Sequence, residues 1–205
     1  MDRLPPFDRL DTLRYELDED FSLSTEDRRK RKKDRIDEIL DMLIIAYMFG
    51  NESANTMLFG DGDSDTDEMP VMPISVDDMD AAIYRKIADK DWEQRVSDYY
   101  DLDNGTVDEV IRVVDTDMNR VYNDAILNVG ERANRNGTVM KTWQTMEDER
   151  VRLGHEILDQ VTIPIDKRFY SLNGDSARYP GDFASPELNV GCRCRLFLSN
   201  GRYMI

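Results

Sequence analysis

The residues able to do chemistry in this chain are few and crowded together. Its one His, His155, and both of its Cys residues, Cys192 and Cys194, fall between Lys141 and Leu196, together with Trp143. Two thiols one residue apart would face the same side of a strand. With His155 they would offer three ligands to one ion such as zinc, and a tetrahedral site would need a fourth, for which Asp148 and Asp182 are candidates. A Cys-x-Cys pair by itself is a weak signal, so two buried thiols without a metal are the plainer alternative. A disulfide within the pair would close a small, strained ring. The same groups could in principle act as nucleophile, base and orienting carboxylate. No cysteine-hydrolase signature surrounds either Cys, and neither a phosphate loop nor a dinucleotide fingerprint occurs. A non-enzymatic protein is expected.

Charge narrows the partners. The net charge of −16 argues against nucleic-acid binding by the whole surface. The charge is uneven, however. Arg28, Arg29, Lys30, Arg31, Lys32 and Lys33 form an unbroken basic run, which suits either a solvated helix face or a contact with DNA or an acidic partner. Asp61 to Glu68 holds five acids in eight residues. It resembles the start of a calcium loop but has Thr66 where Gly is needed and Met72 where Glu is needed, so an acidic loop is expected. Arg150, Arg152, Arg168, Arg178, Arg193 and Arg195 cluster near the rare residues. Internal bridges to Asp148, Asp166, Asp175 and Asp182 are one reading of them, and a phosphate backbone is the other.

The elements that would position these groups can be read from periodicity. Residues 1–23 mix Pro with acids and predict an extended arm. Ser24 and Asp27 stand at capping spacing, and Ile36, Ile39, Leu40, Leu43 and Tyr47 recur at helical spacing, so a helix over 24–50 is expected, with Gly50 suited to its end. Residues 51–75 read as an acidic linker. Residues 76–136 read as a helical region: a helix from Val76 to Tyr100 with a break near Lys90-Asp91, then a long helix after the Thr106/Glu109 capping box. Val107, Ile111, Val114, Met118, Val121 and Ala125 make an apolar seam on that helix. Asp117, Asn119, Arg120 and Asn123 fall on its polar side, where a solvated face is expected.

From residue 137 the pattern changes. Val139, Lys141 and Trp143 alternate as in a strand. Val151 to Leu158 reads as a short helix carrying His155, Val161 to Ile165 as an edge strand bent at Pro164, and Cys192 to Leu198 as the last strand. The fold class is α+β: a helical N-terminal half followed by a small α+β motif domain over 137–205. No stretch approaches the ~18 apolar residues of a membrane span, and the N-terminus has no apolar signal core.

The order of these residues resembles the phage Mu F-like family, the minor head or head morphogenesis proteins of tailed bacteriophages. The resemblance rests on Lys141-x-Trp143, on Asp148, Arg150 and Arg152 followed by His155, on Phe169, on Tyr179-Pro180-Gly181-Asp182 and on Cys192-Arg193-Cys194. More loosely, it takes in Thr116 to Asn123. Gly191 stands where the family usually has Asn, Asp117 where it has Glu, and Gln160 where Gly is common. The resemblance implies a virion component made in the host cytoplasm, without a membrane role. Its partners would be the portal protein, the major capsid protein or both, with packaged double-stranded DNA as a further candidate. A docking face on the apolar seam or on Ile36–Tyr47 would suit this. A scaffold-like internal protein and a zinc- or thiol-dependent enzyme are the alternatives.

Overall fold

A computed structural model describes residues 5–60 and 71–201. In chain order these form α1 (Pro5–Phe21), α2 (Thr25–Phe59), α3 (Val76–Ile83), α4 (Trp92–Tyr100), α5 (Val107–Ala133), β1 (Val139–Gln144), α6 (Leu153–Glu156), β2 (Thr162–Pro164), β3 (Phe169–Tyr170), β4 (Ser176–Ala177), α7 (Pro186–Asn189) and β5 (Arg195–Asn200). The α+β class and the order of its halves are as expected. The acidic run Asp61–Glu68 lies outside the described residues.

Helix α5 is the spine. Its apolar seam packs against α1 to α4 through Val110, Val114, Met118 and Val121. Its C-terminal turns continue into a second core with Trp143, Phe169, Tyr179 and Leu196. The sheet that closes this second core has the order β2-β1-β5, all antiparallel, with Trp143 opposite Leu196 and Lys141 between Ile163 and Leu198. β2 is an edge strand, which is where Pro164 can be accommodated. β3 and β4 form a separate two-stranded ladder.

Four expectations are corrected here. First, residues 5–21 are not an extended arm but a helix. Phe7, Leu10, Leu13 and Leu17 recur every three or four residues and are all buried in the first core. Second, α2 does not stop at Gly50, and 51–59 is not linker. Gly50 is where α2 crosses α5: a Cβ there would lie 2.3 Å from the Tyr122 carbonyl oxygen and 2.9 Å from the Ala125 Cβ. Ala54 and Leu58 beyond it are buried, so burial carries the helix on to Phe59. Third, the seam of α5 and the Ile36–Tyr47 face pack against each other and against α1, so neither is a free docking face. Fourth, the break expected near Lys90-Asp91 is present but longer: Tyr84–Asp91 parts α3 from α4, with Ala88 and Asp89 at positive φ.

The basic run meets its anions within the chain. Arg28 is buried, donates to the Leu102 carbonyl at 2.6 Å and lies over the Phe21 ring at 4.1 Å. Arg29 donates to the Asp101 carbonyl at 2.8 Å, and Lys32 to the Asp101 carboxylate at 2.6 Å. Lys30 pairs with Asp27 at 2.7 Å. Arg31 and Arg35 converge on the fully buried Asp20, at 3.0 and 2.7 Å, and the Tyr100 hydroxyl donates to the same carboxylate at 2.9 Å. Lys33 is exposed. The cations cluster at the start of α2 because α1 and the α4–α5 turn present carboxylates and carbonyls to it. Arg28 in particular cannot reach a DNA phosphate while the fold is intact.

These contacts make the N-terminal helix part of the folded unit. Leu13→Ala is expected to lower unfolding free energy by about 2–5 kcal/mol. Asp20→Ala, which removes the buried acceptor shared by Arg31, Arg35 and the Tyr100 hydroxyl, should lower it by about 3 kcal/mol. Urea denaturation followed by circular dichroism measures both, and an unstructured arm would show no change.

Candidate functional site

The rare residues converge. α6 is a single turn that holds His155 inward, in the second core. The chain returns to it after α7, in the stretch that enters β5. Here Cys192 and Cys194 precede the strand rather than lie in it, so strand alternation is not what points them the same way. Their backbone is set instead by α5 and α7. Asn123 Nδ2 donates to the Cys194 carbonyl at 3.2 Å, its Oδ1 accepts from the Leu196 N–H at 2.9 Å, and the Cys192 N–H donates to the Asn189 carbonyl at 3.0 Å. Both sulfurs then face His155 Nδ1, Cys194 Sγ at 3.4 Å and Cys192 Sγ at 3.7 Å. The three possible ligand atoms lie within 4.8 Å of one another, and all three residues are buried.

An aromatic cage surrounds the imidazole. The Trp143 ring meets it edge-on at 5.5 Å and Phe183 stacks on it at 5.8 Å. Trp143 also packs on Phe169 at 5.3 Å. Nε2 of His155 is buried in this cage without a hydrogen-bond partner. The two thiols influence each other. The hydrogen bond from Cys194 pulls the Cys192 thiol below its usual range, and the same bond with burial pushes Cys194 up.

Neither expected fourth ligand is available. Asp148 takes a bidentate contact from Arg193, at 2.7 and 2.9 Å, which holds its carboxyl below the usual range. Asp182 is buried, paired with Arg85 and with Arg168 at 3.3 Å, and accepts from the Arg178 N–H at 2.6 Å. Of the expected Arg–Asp bridges, those on Asp148 and Asp182 form. Asp166 instead pairs with its neighbour Lys167 at 3.0 Å, and Asp175 accepts backbone N–H groups of Ser176 and Ser185. Arg178 reaches Glu131 at 2.5 Å, Arg152 donates to the Val190 carbonyl, and Arg195 lies over the rings of Phe7 and Tyr122, at 4.7 and 4.8 Å. Arg150 is the most loosely held, 3.9 Å from Asp148.

The Tyr179–Asp182 turn is locked onto α5. Gly181 has φ +100°, and a Cβ there would stand 3.2 Å from Arg120 Cβ. Pro180 is buried beside it. The Tyr179 hydroxyl donates to Asp124 at 2.7 Å and accepts from Arg85 at 2.7 Å.

The polar side of α5 is the largest departure from expectation. Asp117, Asn119, Arg120 and Asn123 are buried, not solvated. Asp117 pairs with Arg95 and with Arg120 at 3.1 Å, and Arg120 also donates to the Ala82 carbonyl at 2.6 Å. The spacing of four residues between Asn119 and Asn123, both pointing at one carbonyl, was the available signal. Lys141 was also missed as a functional candidate. It lies in the inward row of β1, fully buried, with its Nζ 5.5 Å from the Phe169 ring centre and no hydrogen-bond partner. Burial, with Arg178 nearby, lowers its pKa to about 8.

A family model described as "Phage Mu protein F like protein" matches residues 77–197. This chain belongs to that family. The match to the phage Mu F-like family begins in α3 and ends in β5, so it includes the polar row of α5, the aromatic cage and the Cys-Arg-Cys stretch, and it leaves out α1 and α2. Among curated proteins, the minor head protein GP7 of Bacillus phage SPP1 is 31% identical over 81 residues, covering 40% of this chain and 26% of the relative. The chain thus matches about a quarter of that relative's length. No solved structure matches.

Two outcomes follow from the site. Asn123→Leu removes the contacts that place Cys194 and Leu196, and is expected to cost about 1–3 kcal/mol in urea denaturation. Lys141 titrates near 8 in the fold but near 10.4 when unfolded, so between these values the unfolded chain binds the extra proton and stability rises with pH. Wild type should therefore gain about 1–3 kcal/mol over that window relative to Lys141→Met. Lys141→Met should be the more stable protein at pH 7, and thermal unfolding from pH 7 to 10.5 measures the difference.

Proposed function

We propose that this protein is a minor head protein of a tailed bacteriophage, structural rather than catalytic, that docks on the portal or the inner capsid. The observation that carries this reading is that the family's rare residues point at one another. His155, Cys192, Cys194, Trp143, Phe169 and Asp182 are all buried, so the motif acts as the internal framework of a rigid module, and partners meet its outer surface. The curated relative named a minor head protein supports the same role.

One surface suits a partner. A groove of about 320 Å³ lies between α4, α5 and α7, with Ile87, Tyr99, Val113 and Val190 among its lining. Val190 is 39% exposed. An apolar segment of a head protein would cover it. The basic run is a poorer place for packaged DNA, because Arg28 to Lys32 already have partners within the chain. No helix among the described residues is long and apolar enough to cross a membrane.

Co-expression with the portal protein of the same genome, followed by size-exclusion chromatography with mass detection, tests the proposal. A stable complex is expected, weakened at least tenfold by Val190→Glu, a loss of about 1.4 kcal/mol or more. Separate elution from both portal and major capsid protein, together with absence from purified particles, would overturn it.

A further inference from the structure

His155 and the two cysteines form a polar point inside an apolar core. A buried imidazole needs a partner on its nitrogens. Its Nδ1 faces only sulfur. Thiols are weak hydrogen-bond donors and acceptors, so as a bare cluster the three groups satisfy one another poorly. As ligands they are well placed. Zinc bonds of about 2.3 Å to sulfur and 2.0–2.1 Å to nitrogen, at tetrahedral angles, put sulfur and nitrogen roughly 3.6 Å apart. The two observed separations, 3.4 and 3.7 Å, straddle that value.

We propose that His155 Nδ1, Cys192 Sγ and Cys194 Sγ bind one zinc ion, with a water molecule as the fourth ligand. The choice of metal follows from the donors: two thiolates and an imidazole are soft and borderline ligands that suit zinc over magnesium or calcium. Two thiolates also neutralise the ion, so it can sit in the core without a further counter-ion. The fourth position follows from what surrounds the cluster. Asp148 and Asp182 are held by arginines. A cavity of about 10 Å³ touches all three ligands and is bounded by Met146, Arg150 and Arg152. That is about the space of one water. With Nδ1 on the metal, the imidazole proton belongs on Nε2, inside the aromatic cage.

The ion would work as a staple. His155 and Cys192 are 37 residues apart, and the segment between them carries β2, the β3–β4 ladder, the Tyr179–Asp182 turn and α7. This segment has little regular structure to hold it. Closing it with a metal restricts the unfolded chain as well as fixing the folded one. The proposal is independent of which head protein the chain binds.

The test uses the full chain, without a polyhistidine tag, purified without chelator from zinc-supplemented medium. Elemental analysis should find about one zinc per chain, and His155→Ala, Cys192→Ser and Cys194→Ser should each lower it at least tenfold. Arg150→Gln, on the cavity rim, should retain it. Where a variant fails to fold, the wild-type chain still decides. Stripped of metal and given cobalt(II), it should show thiolate-to-cobalt charge transfer with the d–d bands of a tetrahedral ion, displaced by zinc, and stripping should lower its thermal midpoint. Less than about a tenth of a zinc per chain with no charge-transfer band on cobalt addition would overturn the proposal. So would a Cys192–Cys194 disulfide in freshly purified protein.

Discussion

Asp117 is a carboxylate buried in the middle of α5, and the arrangement of the helices depends on its charge being matched. Arg95 reaches it from α4 and Arg120 from one turn along the same helix. Arg120 then donates to the carbonyls of Ala82 and Ile83 at the end of α3. Those carbonyls are helix-terminal acceptors that would otherwise be unsatisfied, and a cation is the favourable group to place there. A buried ion pair is not in itself a source of stability, since desolvation offsets most of the attraction. It does select one arrangement. α3 or α4 shifted by a residue would leave an unmatched charge in the core, so the three helices are fixed together.

The same helix extends this control to the sheet. Further along α5, Asn119 and Asn123 take over, and both aim at the Cys194 carbonyl. β5 is thereby anchored before it pairs with β1, which explains how Cys192 and Cys194 keep a fixed orientation without a strand ladder of their own. The helical half and the motif domain are two cores joined by one helix, and its buried polar row sets the register of both.

How much of this could be read in the sequence depended on the kind of residue. The apolar seam of α5 was legible because hydrophobic spacing reports burial directly. Its polar row was not: Asp117, Asn119, Arg120 and Asn123 look the same in a sequence whether they meet water or partners from 3 to 75 residues away. α1 was obscured by its acids, although Phe7, Leu10, Leu13 and Leu17 carried the helical period throughout. Gly50 misled because a glycine that ends a helix and one that lets another helix approach are indistinguishable until the neighbour is known. The convergence of His155 with the cysteines was legible as a possibility. The fourth-ligand candidates failed because the sequence does not show which arginines claim Asp148 and Asp182.

The Cys-Arg-Cys spacing has a physical reason beyond the thiols. The flanking sulfurs turn into the core, and the intervening Arg193 turns outward, where Asp148 holds it bidentately. A shorter or uncharged middle residue would leave only the hydrogen bonds from α5 and α7 to resist rotation of the stretch about its own axis. A guanidinium gripped at two points does not allow that rotation. Asp148 lies seven positions before His155, so the pair that restrains the outer face of the stretch begins the same segment that delivers the imidazole to its inner face. Acid, arginine, histidine and thiols are therefore parts of one clamp, closed from both sides of a single chain crossing. The clamp explains why these residue types occur in this order in a segment with so little helix or sheet to hold it.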